Sequence, residues 1–362
     1  MGLRPAIAVL ALAALPSHAH GARSLAEVYA QMTPPVTEAE WHLHDPSRIL
    51  HDGDRQLVAV TGKAQEDGYG CGLEVWERAG AAAPWMPHLC LFEDKPAWIA
   101  EELPTNDGAF WAPDFTPDGD LVYSVSAGFE ERGSCVGLAR RAEGDWVDIG
   151  APINCVFDPS DVEVETIDPA VFRTGGQDYL IAGGGRIFAA PLTGGAPDDW
   201  YEEGADGWHV LAARPGMDDR WVEAAQMLEA GGATWLFVNW GACCRGLAST
   251  YEIRVGRAEG PLGPFFDRDG RALREGGGAL FLAAQADQIG PGHAGFRREN
   301  GQLFMSYHFY DAERDGLPWI GEAALDFSTG WPRRDARRPG MRPAAPKRRK
   351  QSGKTTPAQA RA

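Results

Sequence analysis

Beyond residue 40 the sequence lacks any long amphipathic stretch with the period of a helix, so an all-helical fold is not expected. It also has no later apolar segment long enough to cross a bilayer, and no membrane span is predicted. Its six cysteines include no Cys-x-x-Cys pair, and no histidine cluster accompanies them, which argues against a zinc site. With 45 Gly, 26 Pro and 44% hydrophobic residues in 362, the composition is typical of a β-rich fold with many turns.

The first 22 residues have the pattern of a signal peptide. Arg4 supplies the positive charge, residues 6–15 form an apolar run too short to span a membrane, and Ser17-His18-Ala19 offers small residues for cleavage. An ordinary buried helix is the alternative interpretation. We therefore predict a secreted or periplasmic protein that is soluble after export.

The six cysteines suit an oxidising compartment. Two pairs are spaced so that each could link neighbouring strands of one sheet, and a third pair is adjacent in sequence. These pairs are Cys71 with Cys90, Cys135 with Cys155, and Cys243 with Cys244. The adjacent pair forms either a vicinal disulfide or two buried thiols, because connectivity does not follow from sequence alone.

The net charge of −17 is unevenly distributed. Residues 333–362 contain eleven Lys or Arg against one Asp, so this segment carries +10 and the rest of the chain must carry −27. We expect the segment to be a disordered basic tail, either simply solvated or in contact with anionic polymers. The acidic body argues against nucleic-acid binding.

A tight glycine turn followed by a short hydrophobic strand recurs five times. The strands cover residues 56–60, 121–125, 179–182, 235–238 and 303–307. The turn glycines are separated by 66, 57, 56 and 69 residues, and they are Gly53, Gly119, Gly176, Gly232 and Gly301. A repeat of about sixty residues suits propeller blades of four strands each. We therefore predict an all-β fold, a five-bladed β-propeller over residues 40–332.

A polar side chain precedes each turn by five to nine residues. A radial array of sheets brings equivalent positions of all blades to one axis, so we expect these side chains to meet in a central pocket. They are Asp45, Asp114, Asp168, Glu223 and His293.

Motifs around these residues form a set that extends over residues 40–332. Its short members are His44-Asp45-Pro46, Trp111-Ala112-Pro113-Asp114, Ile167-Asp168-Pro169 and Glu223-Ala224. Two longer stretches complete it: residues 240–246 with 249–251, 255–257 and 263–265, and residues 290–295 with 307–311. It resembles glycoside hydrolase family 43, in its endo-arabinanase branch. The resemblance implies a five-bladed propeller that cleaves glycosidic bonds with inversion, using one carboxyl group as acid and another as base.

By this resemblance Asp45 is the general base and Glu223 the general acid. Asp168 is the carboxylate that orients the acid and raises its pKa, because a like charge disfavours ionisation. His293 matches a histidine that binds a metal, and we expect one calcium ion near it. The alternative is a histidine that only donates and accepts hydrogen bonds.

We expect Trp111, Asp114 and His44 to contact the substrate. The indole ring of Trp111 offers a flat surface for the apolar face of a sugar, and Asp114 is either a hydrogen-bonding residue of the pocket or a turn residue. The expected partner is a plant cell-wall polysaccharide or oligosaccharide, bound by a monomer.

Three functions remain open at this point. The first is a secreted enzyme that cleaves α-1,5-L-arabinan internally. The second keeps the chemistry in an exo-acting α-L-arabinofuranosidase or β-xylosidase. The third is a carbohydrate-binding propeller without catalytic activity, although a binder has no need of all three carboxylates.

Overall fold

The computed structural model describes residues 23–32, 35–62, 70–106, 108, 110–127, 133–157, 164–201, 207–217 and 221–335. The signal peptide expected over residues 1–22 lies outside these ranges, as do residues 336–362 of the expected tail. Five antiparallel sheets form the five blades of a β-propeller, which confirms the predicted fold. No helix in the described part of the chain is long and apolar enough to cross a membrane.

Blades 1 and 2 each have five strands. In blade 1, a meander from the axis outward is completed by an N-terminal strand at its outer edge: β2 (Leu50–Asp52), β3 (Arg55–Thr61), β4 (Leu73–Arg78), β5 (Met86–Leu91) and β1 (Arg23–Ser24). Blade 2 contains β6 (Phe110–Phe115), β7 (Leu121–Ser126), β8 (Ser134–Ala142), β10 (Asn154–Val156) and the side strand β9 (Asp145–Asp148).

The other three blades each have four strands in sequence order. Blade 3 contains β11 (Ala170–Thr174), β12 (Gln177–Ala182), β13 (Arg186–Pro191) and β14 (His209–Ala213). Blade 4 contains β15 (Glu223–Ala230), β16 (Ala233–Trp240), β17 (Glu252–Ala258) and β18 (Ala279–Leu282). Blade 5 contains β19 (Gln288–Glu299), β20 (Gln302–Asp311), β21 (Leu317–Asp326) and β22 (Arg333–Arg334).

Helical segments are short and connect or flank the blades. The α-helices are α1 (Leu25–Gln31) and α2 (Ala97–Glu102), and the 3₁₀ turns cover Glu38–Glu40, Gly246–Ala248, Leu273–Glu275 and Ala312–Arg314. The short strand β22 lies in the segment that we expected to be a disordered tail. The sheet of blade 5 therefore extends beyond residue 332, because β22 pairs with the end of β21.

All five predicted strands fall within the second strand of a blade, and each predicted turn glycine lies in the hairpin before it. Their φ angles are 60°, 84°, 81°, 74° and 77°, a region that glycine enters without the steric penalty of a β carbon. This conformation explains why glycine marks the repeat, and why the repeat could be seen in the sequence.

The expected disulfides form. Cys71–Cys90 and Cys135–Cys155 are buried within blades 1 and 2, and the second joins directly opposed residues of β8 and β10. The adjacent residues Cys243 and Cys244 are also bonded, which excludes the pair of buried thiols.

The ring is closed between blade 5 and blade 1 by buried side chains. Glu322 of β21 lies 2.5 Å from the guanidinium of Arg78 in β4 and 2.7 Å from that of Arg297 in β19. All three side chains are at most 5% exposed. Nearby, the rings of Trp76 and Trp319 meet edge to face across the same interface.

Replacing Glu322 by Gln should destabilise the fold by about 3–5 kcal/mol, because buried Arg78 loses its counter-charge and Arg297 keeps only its contact with Glu299 at 3.4 Å. Urea denaturation measures the change. Asp118→Asn is the control, since Asp118 pairs with Arg173 at the surface and should leave the midpoint nearly unchanged. An unaltered midpoint for Glu322→Gln would show that this ion cluster does not hold the ring closed.

Candidate active site

One residue in each inner strand, or in the segment that leads into it, has a left-handed backbone conformation. The φ angles are 49°, 46°, 52°, 53° and 55°, for Asp45, Ala112, Asp168, Ala224 and His293 in that order. A residue with a β carbon loses roughly 1–2 kcal/mol in this region. The strand pairing shifts register at the bulges in blades 2, 4 and 5. Such bulges change the direction of neighbouring side chains.

The sequence prediction treated Asp45, Asp114, Asp168, Glu223 and His293 as equivalent positions of the five blades, and the left-handed residues show that two of these, Asp114 and Glu223, are displaced. The left-handed residue lies eight positions before the turn glycine in blades 1, 3, 4 and 5, and seven positions before it in blade 2. The counterparts of Asp45 are therefore Ala112 and Ala224 in blades 2 and 4. Asp114 lies two positions after that residue, and Glu223 lies one position before it.

Side chains at or directly before the left-handed residues of blades 1 to 4 face a common pocket. This cavity has a volume of about 570 Å³ where the inner strands converge. Its wall contains five of the seven predicted site residues: His44, Asp45, Trp111, Asp168 and Glu223. The remaining wall is formed by His42, Thr61, Glu165, Ile167, Trp221, Cys243, Cys244, Gly246, Tyr251, Tyr310, Gly316, Leu317 and Pro318.

Asp114 does not line this pocket. It is 1% exposed, and its carboxylate accepts hydrogen bonds from the backbone N–H and the guanidinium of Arg48 and, at 2.9 Å, from the amide of Gln226. Arg48 also donates to the carbonyl oxygen of Val171. The expected contact between Asp114 and substrate is therefore replaced by a structural role, in which Asp114 links blades 1 to 4 beneath the pocket.

Asp45 is held as a carboxylate by two donors on one oxygen. His44 Nδ1 and Thr61 Oγ1 each lie 2.7 Å from Asp45 Oδ2. Burial alone would raise the pKa of Asp45, but the hydrogen bond and charge of His44, with those of His293 and His308, lower the pKa of Asp45 well below its usual range. Asp45 is consequently ionised at neutral pH and can accept a proton.

Glu223 accepts one hydrogen bond on each oxygen. Trp221 Nε1 lies 2.5 Å from Oε2, and Tyr251 Oη lies 2.8 Å from Oε1. An indole N–H only donates, whereas a hydroxyl can also accept, so a protonated Glu223 carries its hydrogen on Oε1. Burial raises the pKa of Glu223, the two donors partly oppose this, and the charges of Asp45 and Glu165 raise it further.

Asp168 lies next to the segment that carries Glu223. Its Oδ2 accepts the backbone N–H of Ala224 at 2.9 Å, and its own N–H donates to Ser124 Oγ at 3.0 Å. Burial raises the pKa of Asp168 well above its usual value, and the charges of Glu223 and Asp45 add to this. Since each carboxyl group opposes ionisation of the other, the pair retains a proton at higher pH than an isolated carboxyl group would.

The model of the glycosyl hydrolases family 43 matches residues 35–327. The chain belongs to this family.

Its relatives in the family include enzymes with two modes of action. Extracellular endo-α-(1→5)-L-arabinanase 1 of Bacillus subtilis is 30% identical over 297 residues, which cover 80% of this chain and 87% of that protein. An extracellular exo-α-(1→5)-L-arabinofuranosidase of Cellvibrio japonicus is 31% identical over 319 residues, which cover 81% of this chain and 86% of that protein. The native arabinanase of Bacillus subtilis superposes with a TM-score of 0.68 at 27% identity, covering 81% of this chain and 97% of that one. The chain is an arabinanase-like glycoside hydrolase, so the non-catalytic alternative is set aside.

Sequence reasoning missed several residues of this family 43 pocket. Tyr251 and Tyr310 lie in stretches that carried the family resemblance, but nothing in their spacing indicated that their hydroxyl groups reach Glu223 and His44. Thr61 ends the second strand of blade 1. Only the tertiary structure relates these three side chains to the site.

Tyr251 reaches Glu223 because residue 292 is a glycine. A β carbon at Gly292 would lie 2.2 Å from the tyrosine ring, so any larger residue would displace it. Gly292 occupies the position in blade 5 that corresponds to Glu223 in blade 4, directly before the left-handed residue. Blade 5 therefore contributes space to the pocket where blade 4 contributes the carboxyl group of Glu223.

The residues around His293 offer a donor set that suits calcium poorly. His293 is 4% exposed, and its Nδ1 lies 3.7 Å from Asp45 Oδ1. The imidazoles of His44 and His308 lie close enough to Asp45 for the three side chains to share a metal ion. However, both nitrogens of His44 and Nδ1 of His308 already take part in hydrogen bonds. Calcium prefers six to eight oxygen ligands, of which these side chains supply one carboxylate. We derive no catalytic step through a metal.

Replacing Tyr251 by Phe should move the alkaline limb of the pH profile of kcat/KM to higher pH. The change removes a donor that favours ionised Glu223, so the pKa of the acid rises. We also expect kcat to fall on the order of tenfold, since the acid loses a contact that orients it. Tyr179→Phe, in blade 3, is the matched control. An unmoved alkaline limb would indicate that Glu223 is not the group that titrates there.

Proposed function

We propose that this protein is an exported, inverting glycosidase that cleaves α-1,5-linked L-arabinan internally, with Asp45 as base and Glu223 as acid. The observation that carries the proposal is the convergence of three carboxyl groups, from blades 1, 3 and 4, in one pocket of a family 43 chain. The two relatives described above are named as an endo-α-(1→5)-L-arabinanase and an exo-α-(1→5)-L-arabinofuranosidase, and these names support this choice of substrate.

The acid step belongs to Glu223. Its proton on Oε1 passes to the oxygen of the leaving sugar as the bond between that oxygen and the anomeric carbon breaks. Burial and the negative charge of Asp45 keep Glu223 protonated towards neutral pH. Trp221 holds the other oxygen, Oε2, and so orients the carboxyl group.

The base step belongs to Asp45. A water molecule on the opposite face of the sugar forms the new bond to the anomeric carbon, while one of its protons passes to Asp45. His44 and Thr61 hold Oδ2, so Oδ1 is the oxygen that receives this proton. The configuration at the anomeric carbon is inverted because attack and departure take place on opposite faces.

Asp168 acts on the acid in two ways. Its hydrogen bond to the N–H of Ala224 fixes the backbone beside Glu223. Its charge, when present, opposes ionisation of the neighbouring acid and keeps the proton available for the leaving group.

The sugar rings are expected to stack on Trp111, whose side chain forms part of the pocket wall. His44 is a second candidate contact, through the face of its ring. Calcium near His293 stays a prediction, and a bound ion there would draw most of its ligands from water. Export rests on the N-terminal pattern and on relatives that are named as extracellular.

Exo action is the second candidate, and one observation favours it: the Cellvibrio relative is named as an exo-acting arabinofuranosidase at 31% identity. Chromatography of the products from linear α-1,5-arabinan separates the two modes. We expect a mixture of oligosaccharides of several lengths early in the reaction. Release of a single small product from the first time point would establish exo action instead.

Asp45→Asn, Glu223→Gln and Asp168→Asn should each lower kcat by about 10²–10⁴-fold without unfolding the protein, because each removes a carboxyl group from the acid–base machinery. Reducing-sugar release measures turnover, and circular dichroism monitors the fold. Asp269→Asn and Glu259→Gln, which change exposed carboxylates, are the matched controls. Turnover like that of the wild type in Asp45→Asn would refute the assignment of the base.

A further inference from the structure

A disulfide between adjacent cysteines lines the pocket and has no role in the proposed chemistry. Cys243 and Cys244 lie in the loop between β16 and β17 of blade 4. Cys244 is exposed and Cys243 is half-buried, whereas the cysteines of the other two disulfides are at most 3% exposed. A soluble reductant therefore reaches this disulfide before the others.

Three hydrogen bonds connect this loop to the carboxylate of Asp45. The backbone N–H of Cys244 lies 2.6 Å from Tyr310 Oη, which lies 2.8 Å from His44 Nε2. His44 Nδ1 in turn lies 2.7 Å from Asp45 Oδ2. The series runs from blade 4 through blade 5 to blade 1.

Two of the three bonds have a direction that the groups fix. An ionised Asp45 only accepts, so His44 donates from Nδ1, and the backbone N–H of Cys244 only donates to the oxygen of Tyr310. The hydroxyl of Tyr310 and Nε2 of His44 share the bond between them. The position of each group is therefore tied to that of the next, and the last bond orients Asp45.

The disulfide restrains the segment that carries the N–H of Cys244. This residue has a φ of 64°, a left-handed conformation that is unfavourable for a residue with a β carbon. The start of the loop is held independently, because Ala242 and Thr250 exchange hydrogen bonds at 2.9 and 3.0 Å. The Cys243–Cys244 disulfide closes a small covalent ring, which restricts the backbone directly after the Ala242–Thr250 hydrogen bonds.

We propose that the Cys243–Cys244 disulfide positions the base Asp45 through Tyr310 and His44, so that reducing this disulfide lowers turnover reversibly. The inference rests on the proposed function, since it takes Asp45 as the base. A dithiol reductant transfers two electrons and two protons to the S–S bond, which yields two cysteine thiols and the oxidised, cyclic form of the reagent. The freed loop then leaves its left-handed conformation, and the N–H of Cys244 turns away from Tyr310.

The test treats the folded enzyme with dithiothreitol under conditions in which alkylation and mass spectrometry count two new thiols, at residues 243 and 244. Initial rates on a linear arabino-oligosaccharide then give kcat and KM. We expect kcat to fall about tenfold with little change in KM, because the base is misplaced while the sugar contacts remain. Removal of the reductant and reoxidation should restore kcat.

Two variants separate positioning from a purely structural role. Tyr310→Phe removes the hydroxyl group in the middle of the series, so its kcat should be low before treatment and change little on reduction, since both changes act on the same contact. The double variant Cys243→Ser with Cys244→Ser should behave like the reduced enzyme and not respond to dithiothreitol. Thermal unfolding checks that both variants are folded.

Other outcomes overturn the proposal. An unchanged kcat with two thiols present would show that the disulfide does not act on the base. An equal loss of kcat in wild type and Tyr310→Phe on reduction would show that it acts by another route, and a rise in KM alone would indicate direct contact with the sugar. Asp45→Asn separates failure of this inference from failure of the proposed function. If the variant is inactive and reduction leaves kcat of the wild type unchanged, only the positioning role of the disulfide fails. If the variant is active, the assignment of Asp45 as base fails.

Discussion

The pocket depends on one backbone constraint, a left-handed residue at the axis in each of the five blades. At Asp45, Asp168 and His293 this residue itself carries a polar side chain, whereas at Ala112 and Ala224 the residue before it faces the pocket. The conformation is unfavourable for every one of these residues, by roughly 1–2 kcal/mol each. Packing between neighbouring sheets must offset it, since the buried clusters include strands of adjacent blades.

The same constraint lets one cavity hold carboxyl groups in opposite protonation states. Asp45 and Glu223 are both buried, yet donors from His44 and Thr61 converge on a single oxygen of Asp45. Glu223 has one donor on each oxygen and further carboxyl groups nearby, so the pKa values of the two residues move in opposite directions. The inverting mechanism that we propose requires a base that stays ionised and an acid that stays protonated.

Much of this fold could be predicted from the sequence, because its hairpins need glycine and its second strands are short hydrophobic runs. The register at the axis could not, since conformation rather than polarity is repeated there, and Ala112 carries no polar signal. The prediction consequently chose Asp114, which instead holds Arg48 beneath the pocket. Tyr251 and Tyr310 were missed for a related reason: their hydroxyl groups reach the site from other strands, and only tertiary packing determines where they end.

Asp45, the base that we propose, lies at the junction where the two ends of the propeller meet, so closure of the ring and the position of Asp45 depend on the same interface. Asp45 belongs to blade 1, but its N–H donates to His308 of blade 5, whose ring stacks on that of His44 at 4.1 Å. The N–H of Leu43 also donates to the carbonyl oxygen of Pro318 across this junction. Blades 1 and 5 are far apart in sequence, so their contact closes a long loop and is entropically unfavourable until side chains pack. The backbone N–H of Asp45 therefore acquires its partner only when blade 5 has docked on blade 1. The two donors that hold its carboxylate, His44 and Thr61, belong to blade 1 itself. Asp168 and Glu223 come from neighbouring blades and depend less on closure.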